Sequence, residues 1–135
     1  MTQVFLGGTC NGSKWRERLI PMLDPERVRY FNPVVEDWGV EARQREEVEK
    51  GLSDFHLYVI TPKMAGVYAV AEVAESAVRR PRGTILCVLH EDGLRVWDKG
   101  QAKSMEAVAS LVSRNGATVF NDLASVASFL NGRKS

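Results

Sequence analysis

The sequence predicts an α/β protein: a five-stranded parallel sheet with helices on both faces. Three observations lead there. Short apolar runs rich in β-branched and aromatic residues alternate with segments of helical spacing along the whole chain. Each run is too short for a helix and is bounded by turn-forming residues. Parallel strands also need right-handed crossover helices to reconnect, so regular alternation makes a parallel sheet the economical architecture.

The first strand is the apolar run at 4–6, and a helix follows over 13–23. A weaker run at 28–31 gives the second strand, with a helix over 41–52. Residues 56–61 form the third strand and lead into a helix over 68–80. The fourth strand spans 84–89. The charged stretch 90–100, with Gly93 and Gly100, reads as a surface excursion rather than a domain boundary. A helix over 103–113, a weak strand at 117–120 and a last helix after Asn121 complete the chain. Five strands in this alternation suit a flavodoxin-like order and a three-layer sandwich. With no repeat and no low-complexity tract, residues 1–135 read as one domain.

Composition narrows the function. Hydrophobic residues make up 44% and charged residues 26% of the chain, which fits a packed globular core and speaks against disorder. Eighteen basic and 17 acidic side chains leave a formal charge of +1, so no global field draws the protein to polymeric nucleic acid or an anionic membrane. Cys10 and Cys87 form no CxxC pair and join no His/Cys cluster, which gives no support to a disulfide scaffold or a zinc site. Met1 to Leu6 runs into a strand without a basic leader or a long apolar segment, and an intracellular, cytoplasmic protein is expected.

In open parallel sheets ligands bind beyond the carboxyl ends of the strands, so the residues after each strand are the candidates. The first strand is followed by Gly7-Gly8-Thr9-Cys10-Asn11-Gly12-Ser13. Glycines permit close approach of backbone to a ligand, and this stretch is either a binding loop for a sugar or phosphate or a tight strand-to-helix turn. It matches neither the dinucleotide fingerprint nor a P-loop. The second strand is followed by Asn32-Pro33 and then Glu36-Asp37-Trp38-Gly39, where an amide and a flat indole suit a ribose edge or a base. After the third strand comes Thr61-Pro62-Lys63-Met64-Ala65-Gly66-Val67. In the helix that follows, Val70, Val73, Ala74 and Ala77 make an apolar stripe, and Glu72, Glu75, Ser76 and Arg79 a polar one. Glu75 and Arg79 have the spacing of an ordinary i,i+4 pair. Glu72 stands in the opening turns of a helix that starts at the ligand edge, with Tyr68 one turn earlier and within reach. The mixed charges of the second helix, Glu46, Glu47 and Glu49 beside Arg43, Arg45 and Lys50, read as a solvated face. His56 and His90 have no partner cluster and read as structural.

Several of these motifs, taken in order, resemble nucleoside 2-deoxyribosyltransferase-like proteins. The resemblance is carried by Val4-Phe5-Leu6-Gly7-Gly8-Thr9, Trp15-Arg16, Phe31-Asn32-Pro33-Val34-Val35-Glu36-Asp37-Trp38, and Leu57-Tyr58-Val59-Ile60-Thr61-Pro62-Lys63-Met64 with Gly66, Tyr68 and the Ala71-Glu72 step. It spans roughly residues 3–130. It implies a flavodoxin-like fold, usually oligomeric, in which a glutamate attacks C1′ of a 2′-deoxynucleoside and displaces the base. A second base then takes the sugar in the transferases, and water takes it in related deoxynucleotide hydrolases.

On this resemblance Glu72 matches the nucleophile, and Glu46, before the Ser53-Asp54 step, matches an acidic residue near the leaving base, with Glu47 as the geometric alternative. Tyr68 would orient the Glu72 carboxylate by hydrogen bonding. Substrate contacts are expected from Gly7, Gly8, Thr9, Asn11, Asn32 and Pro33, and further from Trp38, Asp54, Met64 and Gly66. The stretch 64–67 carries no carboxylate where the better-studied transferases have an aspartate. The expected partners are a small nucleoside or nucleotide and further copies of the chain, with no cofactor. A carboxylate beneath C1′ and a proton donor at the base answer the two charges that develop as an N-glycosidic bond breaks.

Overall fold

The computed structural model describes residues 1–10, 12–34 and 39–132. Asn11 and Trp38, both candidates for substrate contact, lie outside the described residues, as do Val35, Glu36 and Asp37. The chain forms β1 (Thr2–Gly8), α1 (Trp15–Leu19), a 3₁₀ turn at Ile20–Met22, β2 (Val28–Phe31), α2 (Val40–Leu52), β3 (Phe55–Ile60) and α3 (Tyr68–Arg79). After a second 3₁₀ turn at Pro81–Gly83 come β4 (Thr84–Val88), β5 (Glu91–Asp92), β6 (Arg95–Val96), α4 (Lys99–Arg114), β7 (Thr118–Phe120) and α5 (Leu123–Asn131).

Five strands make one parallel sheet in the order β2-β1-β3-β4-β7. This is the three-layer, flavodoxin-like α/β fold that the alternation predicts. Strand alternation divides the core between two faces. Val4, Leu6, Leu57, Val59, Ile85 and Cys87 pack on one face with Trp15 and Leu19 of α1 and Val126 and Leu130 of α5. Tyr58, Ile60, Leu86 and Val88 point to the other and meet Val73 and Ala77 of α3 and Met105 and Val112 of α4. β3 and β4 are buried along their whole length, as central parallel strands with helices on both sides must be. Among the described residues, no helix is long and apolar enough to cross a membrane.

Four departures from the expected elements have local causes. The first helix is shorter than 13–23: it gives way to a 3₁₀ turn where Pro21 lacks the N–H needed to continue the α ladder. The fourth helix begins at Lys99 rather than 103, because Asp98 and Gln101 form a reciprocal capping box, with Gln101 N–H donating to Asp98 Oδ1 at 2.8 Å and Asp98 N–H donating to Gln101 Oε1 at 3.1 Å.

The stretch 90–100 contains a hairpin, β5 against β6, turning at Gly93 with φ 63°. Its Asp92 is buried and ties the hairpin to two loops: Ser13 Oγ donates at 2.5 Å, and Lys63 and Arg18 lie 3.9 Å away. Burial pushes the Asp92 carboxyl up, but hydrogen bonds from Ser13 and Thr61 and the charges of Lys63 and Arg18 outweigh it and hold it below the usual range.

The fourth departure concerns α2, which turns its apolar side outward. Val40, Val48 and Leu52 are 68%, 62% and 66% exposed, and no residue of the helix is fully buried. The half-buried stripe is Ala42, Glu46, Glu49 and Lys50. Glu49 accepts from Gln3 Nε2 at 3.1 Å, and Arg45 lies over the Phe31 ring at 5.8 Å.

Candidate active site

The polar inner side of α2 faces α3 across a cleft of about 210 Å³. Its floor is β3, where His56 and Tyr58, two residues apart, share one face of the strand. α3 runs back along the sheet after β3, so its wall descends from Tyr68 at the carboxyl edge through Glu72 and Ser76 to Arg79, with Arg80 just beyond the helix. Lys50 closes the α2 side.

Glu72 is the central acid. Its side chain is 20% exposed, and Lys50 Nζ donates to its Oε2 at 3.1 Å. The Lys50 ammonium lies 5.3 Å from the Phe5 ring centre and 6.0 Å from that of Tyr58. Burial opposes the Lys50 charge, yet Tyr58 and Glu72 outweigh it and raise the Lys50 pKa. The Tyr58 hydroxyl is raised chiefly by its own burial, against the lowering effect of Lys50 and Ser76. Ser76 Oγ and Thr84 Oγ1 share a hydrogen bond of 2.5 Å, and Thr84 Oγ1 donates to the Arg80 carbonyl at 2.9 Å. Two hydrogen-bonded links are therefore fixed here, Lys50 to Glu72 and Ser76 to Thr84.

At the far end, His56 Nε2 meets the Lys50 carbonyl at 2.7 Å and also contacts Arg80. Arg80 donates to the Ser53 and Asp54 carbonyls at 3.1 and 3.3 Å. Burial, with Arg80 and Lys50 adding to it against the hydrogen bond to the Lys50 carbonyl, lowers His56 from 6.5 to about 4. Between these values the unfolded chain takes up a proton that the folded protein refuses, so stability is complete above 6.5 and declines as pH falls toward 4. Moving from pH 7 to pH 5 is expected to remove roughly 1 to 2 kcal/mol of unfolding free energy after allowance for solvent screening. Urea titrations of the wild type and of His56→Gln at both pH values test this: the variant should lose less, and equal losses would assign the effect elsewhere.

Of the residues expected to act, the structure brings Glu72 and Tyr68 into this cleft. Tyr68 stands 75% exposed at the rim, and the hydrogen bond to Glu72 comes from Lys50 rather than from Tyr68. Glu46 is half-buried on the inner side of α2, one turn before Lys50 but outside the cleft wall, and Glu47 is exposed.

The β1 exit packs closely against β3. A Cβ on Gly7 would meet the Tyr58 ring at 2.9 Å. Gly8, at φ 117°, lies so close to Val59 that a Cβ would come within 2.1 Å of its carbonyl oxygen. Thr9 is buried, and its Oγ1 accepts from the Thr61 N–H at 3.1 Å. Asn32 Oδ1 accepts from the Val34 N–H at 3.0 Å, which closes the turn after β2 beside half-buried Pro33. Met64 packs against the second core, and Gly66 is exposed. The position of Asp54 differs from the expectation: it precedes β3 at the amino edge, where its Oδ2 accepts from the Gln3 N–H at 2.8 Å. That edge lies opposite the strand ends at which ligands bind.

Sequence reasoning did not anticipate that Lys50, Tyr58, His56 and Arg80 line this cleft. One signal was present: the polar heads of His56 and Tyr58 at i and i+2 in an otherwise apolar strand mark a face that meets polar groups. Among the described residues, no group of three or more His, Cys, Asp or Glu side chains is arranged to hold a metal ion. The arrangement instead offers a sheltered carboxylate with a fixed cation beside it, in a concave site at a crossover helix.

In comparison with known proteins, the family described as nucleoside 2-deoxyribosyltransferase like matches residues 1–91, a stretch that includes every residue of the cleft. No curated protein matches the chain.

Proposed function

Because this chain belongs to the nucleoside 2-deoxyribosyltransferase-like family, we propose that it cleaves or exchanges the N-glycosidic bond of a 2′-deoxynucleoside or deoxynucleotide, with Glu72 as the nucleophile. The observation that carries this reading is the Glu72 carboxylate, partly buried and directed into the cleft between α2 and α3. A Glu72 oxygen bonds to C1′, the C1′–N bond breaks, and its electron pair leaves with the base, which takes a proton. Water or a second base then attacks C1′ and frees the carboxylate.

Incubation with a panel of deoxynucleosides and deoxynucleotides, with and without acceptor bases, should release free base or form exchanged nucleoside, read by chromatography. An inert protein that binds an intact nucleotide tightly by calorimetry would point to a sensing module instead. The feature favouring that second reading is the ion pair with Lys50 already made by the proposed nucleophile.

We also propose that the protein works as a homo-oligomer joined through α2. A thirteen-residue helix with no fully buried residue and an outward stripe of Val40, Val48 and Leu52 gains little from its own fold, and covering that stripe would supply the missing burial. A double variant, Val48→Lys with Leu52→Glu, should shift the mass measured by light scattering toward the monomer. A wild type that is monomeric at high concentration would exclude this assembly.

A further inference from the structure

We propose that Lys50 is a positioning residue that governs the second half of the reaction: its ammonium group, 3.1 Å from Glu72 Oε2, favours the free carboxylate over the glycosyl ester and so speeds transfer of the sugar from Glu72 to its acceptor. This rests on the proposed role of Glu72 as nucleophile.

The argument is one of charge. In the first step Glu72 attacks C1′, the C1′–N bond breaks, and the carboxylate loses its negative charge to an ester. A cation beside it stabilises the starting carboxylate more than the ester and therefore restrains this step. In the second step water or an acceptor base bonds to C1′, the C1′–O bond to Glu72 breaks, and the electron pair returns to the carboxylate. The same cation now stabilises the charge that develops. Lys50 and Glu72 have side chains only 29% and 20% exposed, so the interaction is less screened than a surface pair.

Lys50 is also held independently of Glu72. Its ammonium lies 5.3 Å from the Phe5 ring centre and 6.0 Å from that of Tyr58, a side chain only 1% exposed. When Glu72 becomes an ester, the ammonium stays in place. A tether that merely joined α2 to α3 would need none of these anchors.

The test uses the intact protein and a deoxynucleoside carrying fluorine at C2′ in the arabino configuration, which slows both steps and lets the glycosyl-enzyme accumulate. Mass spectrometry of the wild type should locate the sugar on Glu72, and recovery of activity gives the lifetime of the adduct. Lys50→Met is expected to lengthen that lifetime about tenfold or more, the scale of losing one charge-assisted hydrogen bond.

With ordinary substrate kcat and KM should fall together in Lys50→Met, while kcat/KM, which reports the first step, should not fall. Lys50→Arg should restore most of the rate. Lys50→Gln supplies the same reading should methionine disturb the packing.

A lifetime unchanged in both Lys50→Met and Lys50→Gln, with Glu72 labelled, overturns the role of Lys50 and leaves the nucleophile standing. A wild type in which the label never reaches Glu72 overturns the nucleophile, and the role of Lys50 with it.

Discussion

Glu72→Gln is expected to lower turnover by about 10³-fold or more, with the fold intact, because an amide keeps the shape of the side chain but cannot form the ester at C1′. The glutamine carbonyl can still accept from Lys50 Nζ, so the cleft keeps its form. The pair it weakens is partly solvated, and unfolding free energy should change by about 1 kcal/mol or less. Substrate affinity should stay near that of the wild type, since the lost interaction belongs to the transition state.

Glu75 supplies the control. One turn-neighbour away on the same helix, it is 71% exposed, and its pair with Arg79 spans 4.0 Å. Glu75 also lines the cleft, but its carboxylate is mostly solvated, so Glu75→Gln should keep turnover within about tenfold, far above that of Glu72→Gln. Chromatographic assay of base release for both variants separates the two carboxylates. Turnover by Glu72→Gln at the wild-type rate would remove Glu72 from the chemistry.

How far the sequence foretold these features depended on the range of the interaction involved. Short apolar runs and helical spacing are local patterns, and they located β1, β3, β4 and the apolar stripe of α3, where Val73 and Ala77 are buried as expected. The Glu75 and Arg79 pair was legible for the same reason. The orientation of α2 was not. Its apolar residues imply an inward face, but the sheet surface beneath it presents Phe5, His56 and Tyr58 to Lys50, and the helix meets that surface with its polar side. The Lys50 and Glu72 contact joins residues 22 positions apart on two helices, and no spacing rule reports such a pair. Asp92 was hidden differently: a hairpin of two-residue strands leaves no periodic signal, so a buried carboxylate looked like loop charge.

The Trp15-Arg16 step illustrates a motif whose role is read only from the coordinates, and it leads to the largest stability effect expected in the molecule. Arg16 is 5% exposed. Its Nε and one terminal nitrogen donate to the Leu6 carbonyl at 3.1 and 3.0 Å, and the other donates to the Thr9 carbonyl at 2.9 Å. Trp15 Nε1 donates to the same Thr9 carbonyl at 2.8 Å, and the guanidinium lies 4.3 Å from the Trp15 ring centre. β1 runs on past its last pair with β2, Phe5↔Phe31, and beyond that point the guanidinium fork takes up the Leu6 carbonyl. Burial lowers the Arg16 pKa, with Cys10 acting in the opposite direction, and a guanidinium remains charged even so.

Arg16→Met keeps much of the volume but removes all three donors, leaving the Leu6 carbonyl without the two bonds that Arg16 supplies. The expected loss is about 3 to 5 kcal/mol of unfolding free energy, within the range for breaking a buried polar network. Arg16→Lys should recover only part of it, since one ammonium cannot reproduce a planar fork spanning two carbonyls. Chemical denaturation of the two variants decides the matter. A loss below about 1 kcal/mol in Arg16→Met would mean that water replaces the guanidinium at little cost, and that the β1 exit is held by Trp15 and Thr9 alone.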